Sequence, residues 1–369
     1  MTIGLLKEPA HETRVSLLAE SVAALVKKGI TVCIENGAGD TAFSHNKEYE
    51  TAGATIKSRA EVLSSSDIIL SIHQPLASEV QNLRSKVLIG IYQPLYNVDQ
   101  MKAWAAAGVT AFSLDMLPRT TRAQIMDVLS SQANIAGYKA VLAAADLYPR
   151  YFPMFMTAAG SIPPAKALIL GAGVAGLQAV ATARRLGAVV EVFDTRPAVK
   201  EEVVSLGAKF IEVEGAADAS KAGGYAVEQS EEFMQRQKAK IAESIAKADI
   251  VITTAQIPGK KAPILVTEEM IKAMRDGSVI IDIAAATGGN TELTKNNETV
   301  VYNGVSIVGD SNLPSSMPAD ASKMYGKNVL NFLQLIITKE GNIDLNWNDD
   351  LVKGACITHN GEIVHERIK

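Results

Sequence analysis

Ala167-Leu-Ile-Leu-Gly-Ala-Gly-Val-Ala-Gly176 decides the fold. A short apolar run of strand type leads into three glycines, Gly171, Gly173 and Gly176, and a helical pattern follows as far as Leu186. Strand, glycine turn and helix in that order open a βαβ unit. Gly171 serves the tight turn, Gly173 lets the backbone approach an anionic group, and Gly176 lets helix and strand pack closely. The helix start, with Val174 and Ala175, offers unpaired N–H groups to a pyrophosphate. The next strand, Val189-Val-Glu-Val-Phe-Asp194, ends on the acidic residue expected about 20 positions on. Asp194 would accept hydrogen bonds from both ribose hydroxyls and repel a 2′-phosphate, which favours NAD(H) over NADP(H). Arg196, beside Thr195, argues weakly the other way, since an Arg after this strand can serve a 2′-phosphate. A glycine turn without a ligand is the bland alternative, but strand, helix and acidic residue all stand where a dinucleotide site requires them.

Working outward, strand-type and helix-type runs alternate from end to end, which predicts an α/β protein with two Rossmann-like doubly wound domains and parallel sheets. Ahead of the glycine turn, strands are expected at Thr2 to Leu6, Thr31 to Glu35, Asp67 to Ile72, Val87 to Tyr92 and Val109 to Leu114. Helices are expected at Leu17 to Lys28 and at Asp99 to Ala107, the latter closed by Gly108. Beyond the turn, further strands are expected at Asp249 to Thr253 and Ser278 to Ile283. One long connecting helix is predicted from Thr121 to about Tyr148, and a return helix from Ala321 to Thr338. The first domain therefore takes 1–130 plus 312–369, and the nucleotide-binding domain 131–311.

The 369 residues are 47% hydrophobic and 21% charged with net charge −4, an ordinary globular mixture. No basic stripe speaks for nucleic acid, and no apolar run is long enough for membrane insertion. Cys33 and Cys356 stand alone, and the five histidines show no paired spacing, so no metal site is expected. The opening residues lack the pattern of a signal or transit sequence, which points to a cytosolic or cytosol-facing chain.

Gln124, Asp127, Ser130, Ser131 and Asn134 recur at three- and four-residue steps, so one continuous helix would place them on one face, with Arg119 and Arg122 at its start. Such a face is either solvated or built to hold a ribose, a carboxamide or a neighbouring domain; both readings stand. Lys221-Ala-Gly-Gly-Tyr225 has the composition of a mobile lid with one anchoring aromatic, or of an ordinary exposed loop. Asp282 and Gly288-Gly-Asn290 fall at a carboxyl edge of the sheet, where ligands or simple turn chemistry are both at home.

On these residues the chain resembles domain I, the NAD(H)-binding component, of the proton-translocating nicotinamide nucleotide transhydrogenases, over essentially its whole length. The resemblance rests on Pro118-Arg-Thr-Thr-Arg-Ala-Gln-Ile-Met-Asp-Val-Leu-Ser-Ser-Gln-Ala-Asn-Ile-Ala-Gly-Tyr138, Thr157-Ala-Ala-Gly-Ser-Ile-Pro-Pro-Ala165, Gly171 to Leu177, Phe193-Asp-Thr-Arg-Pro197, Ala222-Gly-Gly-Tyr-Ala226, Thr253-Thr-Ala-Gln-Ile-Pro-Gly-Lys260 and Gly288-Gly-Asn290. It implies that Arg119, Gln124, Asp127 and Ser130 surround the nicotinamide and that Asp194 holds the adenosine ribose. Asn134, Thr254, Ala255 and Gln256 join the nucleotide contacts, and Tyr225 sits on a closing loop. It also implies a homodimer on the cytoplasmic face of a membrane, or a matrix-equivalent one. Its partners would be an NADP(H)-binding domain and a membrane proton-channel domain.

Alanine dehydrogenases are similar in fold and share Lys7-Glu-Pro with Arg14. Their activity implies a substrate-binding Lys, a His and an Asp, and at those places this chain has His73, Gln93 and Ala286. Amino-acid oxidation needs a proton donor or acceptor beside the reacting carbon, which Gln and Ala cannot supply. Hydride exchange between two nicotinamides needs neither, only alignment of the rings. The reading is therefore hydride transfer from NADH to NADP+ on a partner. An alanine dehydrogenase-like oxidoreductase and a non-catalytic NAD-sensing module are the alternatives.

Overall fold

The computed structural model describes residues 1–213 and 230–369. Among them the chain divides into two compact units, the first comprising Met1–Gln132 with Ser315–Lys369 and the second Ala133–Pro314.

The first unit opens with strands β1 (Thr2–Leu5), β2 (Thr31–Glu35), β3 (Thr55–Lys57), β4 (Ile68–Leu70), β5 (Val87–Gly90) and β6 (Thr110–Ser113). Its helices here are α1 (Ala19–Val26), α2 (Asn46–Thr51), α3 (Arg59–Ser65) and α4 (Val98–Ala106). All six strands pair in parallel. Their side chains alternate between two apolar layers: Ile68, Leu70, Val87 and Ile89 enter one, Ile69 and Leu88 the other. Burial on both faces is why these strands read as unbroken apolar runs. Gly108 adopts φ +73° just after α4, the left-handed helix ending that its position predicts.

The predicted helix from Thr121 to Tyr148 is broken. Thr121–Met126 forms 3-10 turns, Asp127 is non-helical at φ −75°, ψ 90°, and only then does α5 (Val128–Leu147) begin. The carboxylate of Asp127 accepts from Ser130 N at 2.9 Å and from Ser130 Oγ at 2.6 Å, so it caps the helix instead of lying within it. The single polar face from Gln124 to Asn134 is therefore corrected: Gln124 precedes the helix, and Asp127 sits at its threshold.

The second unit carries a small antiparallel pair, β7 (Phe155–Thr157) and β8 (Gly160–Ile162), then β9 (Lys166–Leu170), α6 (Val174–Arg185), β10 (Val189–Phe193), α7 (Lys200–Ser205), β11 (Lys209–Phe210), α8 (Glu231–Ile245), β12 (Ile250–Thr253), α9 (Glu268–Lys272), β13 (Val279–Asp282), β14 (Thr299–Tyr302) and β15 (Val305–Val308). Its main sheet runs β11-β10-β9-β12-β13-β15-β14, parallel except for β14. Layers again alternate, with Ala167 and Ile169 of β9 to one side and Leu168 and Leu170 to the other.

The first unit resumes with α10 (Pro318–Ile336), α11 (Asp350–Ala355), β16 (Cys356–His359) and β17 (Glu362–Ile363). Its sheet runs β17-β16-β6-β5-β4-β1-β2-β3, and β16 joins β6 antiparallel. Both sheets thus share one winding, with the strand order reversing between β1 and β4 and between β9 and β12. Those reversals are where open α/β sheets place their ligands.

Candidate functional site

In the second unit, β9 ends at Leu170 and the glycine turn follows. Gly171 has φ +107°, and a Cβ there would lie 2.4 Å from Thr254 Oγ1; a Cβ on Gly176 would meet Gly171 O at 1.8 Å. Both positions are closed to side chains by close packing. Gly173 differs: a Cβ built on it meets nothing within 4 Å among the described residues. Its missing side chain leaves open room in front of the amides that begin α6, where a helix has no acceptors of its own to offer them. Asp194 lies at the end of β10, its Oδ2 accepting from Ala172 N at 2.7 Å. Arg196 closes on the same carboxylate, Nε to Oδ1 at 2.9 Å and Nη2 to Oδ2 at 2.7 Å. The pair keeps the guanidinium charged, raising its already high pKa through the Asp194 bond.

The loop after β12 lies against the turn. Thr254 N donates to Leu170 O at 2.9 Å and its Oγ1 to Gly171 O at 3.2 Å. Asn290, fully buried, brackets Ala255: its Oδ1 accepts from Ala255 N at 3.0 Å and its Nδ2 donates to Ala255 O at 2.9 Å. Asp282 accepts from Ala284 N, Asn290 N and Thr294 Oγ1. Asp282 and Asn290 thus do turn chemistry that holds Thr254 and Ala255 in place. Gln256 is exposed and donates to Ile283 O at 3.3 Å. Asn134 donates to Gln178 of α6 at 3.1 Å, and nearby a Cβ on Gly137 would stand 2.0 Å from Ala175 O. Sequence reasoning passed over Gly137, although a lone glycine inside a helical pattern is a signal of close packing. Tyr225 lies outside the described residues.

In the first unit, Arg119 and Gln124 are exposed, and Asp127 with Ser130 forms the cap already described. Arg122 is held by Asp349, Nη1 to Oδ2 at 2.7 Å and Nη2 to Oδ1 at 2.5 Å, and by Asp350.

Where the strand order of the first unit reverses, its own side chains fill the space beyond β1 and β4. Glu8 accepts from Ile72 N at 2.6 Å and His73 N at 3.0 Å. Burial pushes its carboxyl up to about 7 despite those amides. Glu12 receives Arg14 Nε at 2.8 Å, Arg14 Nη2 at 2.6 Å, His73 Nε2 at 2.8 Å and the hydroxyl of Ser315. Burial would raise the carboxyl of Glu12, but Arg14 and His73 outweigh it and hold it well below the usual carboxylate range. Arg14 Nη1 donates to Gln132 Oε1 at 2.8 Å. The sequence marks Arg14 and His73 only through their alanine dehydrogenase counterparts; Glu12 and Gln132 carry no local signal. Gln93, where that enzyme group implies a histidine, is exposed at φ +47°.

Family models agree with this architecture. Residues 4–136 match the model "Alanine dehydrogenase/PNT, N-terminal domain" and residues 140–366 match "Alanine dehydrogenase/PNT, C-terminal domain". The chain is 46% identical over 364 residues to an NAD(P) transhydrogenase subunit alpha protein of Rhodospirillum rubrum, covering 96% of this chain and 95% of that one. The crystal structure of a transhydrogenase from Sinorhizobium meliloti superposes with a TM-score of 0.87 at 44% identity, covering 99% of each chain. An L-alanine dehydrogenase structure follows at a TM-score of 0.82 and 25% identity, covering 100% of this chain and 98% of that one. The chain belongs to the alanine dehydrogenase/PNT family, on the side of its NAD(P) transhydrogenase alpha subunits.

Proposed function

We propose that this chain binds NADH and passes its hydride directly to NADP+ held on a partner domain. The observation that carries the reading is the turn at Gly171 to Gly176, where Gly173 alone leaves open room before the amides of α6. A pyrophosphate fits that space and that partial positive charge. Asp194, at the end of the neighbouring strand, is the ribose acceptor, and its pairing with Arg196 keeps the guanidinium from serving a 2′-phosphate; both favour NAD(H). Thr195, Thr254, Ala255, Gln256, Asn134 and Tyr225 complete the nucleotide contacts, with residues 133–314 as the nucleotide-binding domain.

Arg119, Gln124, Asp127 and Ser130 orient the nicotinamide and its carboxamide. In the reaction a hydrogen leaves C4 of the dihydronicotinamide with its electron pair and bonds to C4 of the oxidised ring. NADH becomes NAD+ as NADP+ becomes NADPH, and no proton is exchanged. The chain's work is alignment, bringing the reacting carbons to within about 3–3.5 Å. Gln93 and Ala286 supply no acid or base, and this reaction asks for none.

Among the described residues no helix is long and apolar enough to cross a membrane. The proposal gives this chain a homodimeric state on the cytoplasmic or matrix-equivalent face, with an NADP(H)-binding domain and a membrane proton-channel domain as partners. The test mixes the chain with NADH and an oxidised nicotinamide analogue of shifted absorbance, with and without an NADP(H)-loaded partner domain, alongside alanine plus NAD+. Analogue reduction only with the partner supports the reading. Reduction of NAD+ by alanine would replace it with an amino-acid oxidoreductase, and bound NADH with no reduction anywhere would replace it with a sensing module.

A further inference from the structure

We propose that Arg14 is a positioning residue for hydride transfer, acting through Gln132 on the opening turns of α5. The inference rests on the reading of Asp127 and Ser130 as nicotinamide-orienting groups. Arg14 and Gln132 are both buried, at 7% and 8% exposure. Two guanidinium nitrogens of Arg14 bond Glu12 and the third reaches Gln132 Oε1 at 2.8 Å. Glu12 is itself fixed by His73, just beyond β4, and by Ser315, shortly before α10. The guanidinium is therefore located by three separate stretches of the first unit before it touches Gln132. Gln132 passes that location on, its Nε2 donating to Ala321 O at 3.2 Å and to Ser131 Oγ at 3.3 Å.

Ser130 lies two residues before Gln132, so any roll or slide of the helix that Gln132 permits also displaces Ser130 and its bond to Asp127. A planar guanidinium can hold a carboxylate along one edge and an amide oxygen along another at fixed angles, which an ammonium cannot do. Glu12 balances the charge of Arg14, so the site offers an anionic ligand little net attraction. What Arg14 contributes is direction. The glycine turn and Asp194, which hold the adenosine half in the reading above, are not among the partners of Arg14. Its loss should therefore slow transfer while leaving nucleotide affinity in place.

The experiment uses the full chain assembled with its NADP(H)-binding partner. Arg14→Met and Gln132→Leu are made singly and together, and stopped-flow transfer from saturating NADH to an oxidised nicotinamide analogue is compared with the Kd for NADH and with Tm. Each single variant is expected to slow transfer by roughly tenfold or more, as small misalignments do. Kd should stay within about twofold, and the double variant should be no slower than the slower single, because both cut one relay. Arg14→Met leaves Glu12 buried without its main partner, so Gln132→Leu, which keeps that ion pair, carries the test should the former fail to fold. Wild-type transfer in Gln132→Leu overturns the proposal, as does a loss of transfer matched by equal losses of affinity and Tm. Ser130→Ala separates the two ideas. At wild-type rate it overturns the reading of α5 and the proposal with it; a slow Ser130→Ala beside a fast Gln132→Leu overturns the proposal alone.

Discussion

The guanidinium of Arg196 grips the carboxylate of Asp194 with two nitrogens, Nε at 2.9 Å and Nη2 at 2.7 Å, while Ala172 N holds the same carboxylate from the glycine turn at 2.7 Å. The acidic residue that ends β10 is thus oriented before any ribose arrives. Replacing Asp194 by Asn removes the charge and half of the acceptor capacity. NADH affinity is expected to fall about tenfold, close to 1.4 kcal/mol, and discrimination against NADPH to narrow. Arg196→Ala is expected to leave NADPH binding no tighter than in the parent chain. Isothermal titration with both nucleotides decides; an Asp194→Asn protein that binds NADH as the parent does would remove Asp194 from the site.

Gln124 stands exposed in the 3-10 turns ahead of α5 and has no structural duty that a truncation would expose. Gln124→Ala is expected to cut nucleotide-to-nucleotide hydride transfer by about a hundredfold while Kd for NADH moves by less than about threefold. Single-turnover transfer with the partner domain, read beside fluorescence titration of NADH, checks it.

Gly137 lets α5 approach the start of α6 so closely that a Cβ would sit 2.0 Å from the carbonyl of Ala175. Backbone on the far side cannot turn away as a side chain could. Gly137→Ala is expected to destabilise the second unit by about 1–3 kcal/mol, seen as a drop of roughly 5 °C in its calorimetric transition. An unchanged transition would mean that α5 and α6 can separate at no cost.

Glu8 supplies a pH dependence. Its carboxyl is pushed by burial up to about 7, against 4.5 for an ordinary glutamate. An acid whose folded pKa exceeds its unfolded one gives stability that is complete below the unfolded value and is lost as pH rises through the folded one. The loss attributable to Glu8 therefore falls between about pH 4.5 and 7, and at most is on the order of 3 kcal/mol. Glu8→Gln, which cannot ionise, is expected to be less sensitive across that window and to gain on the parent at pH 8. Urea unfolding of both proteins at pH 5 and pH 8 measures the difference, and equal shifts in the two would remove Glu8 as its source.

What the sequence disclosed and what it hid have physical causes. The central strands are buried on two faces, so they appear as continuous apolar runs whatever surrounds them. Thr55–Lys57 and Lys209–Phe210 are short, partly exposed edge strands with polar residues, and they leave no such mark. The break at Asp127 was legible in principle, as an aspartate before Val128 and Leu129 with Ser130 three positions on is a helix-start pattern. The regular spacing of Gln124, Asp127, Ser130 and Asn134 masked it. The glycine turn needed no help, being local. The bond from Arg14 to Gln132 joins residues 118 positions apart, and nothing in either neighbourhood announces the other.

The second unit is one uninterrupted segment, whereas the first is closed only by residues from Ser315 onward. During synthesis the ribosome delivers all of Ala133–Pro314 while the earlier sheet still lacks its last two strands. Until Cys356–His359 emerges, the backbone groups along the outer side of β6 have no partner strand, a bare edge open to foreign pairing. The nucleotide-type unit can be complete while the other still waits, so the vulnerable interval in the life of this chain is the time taken to translate its final quarter.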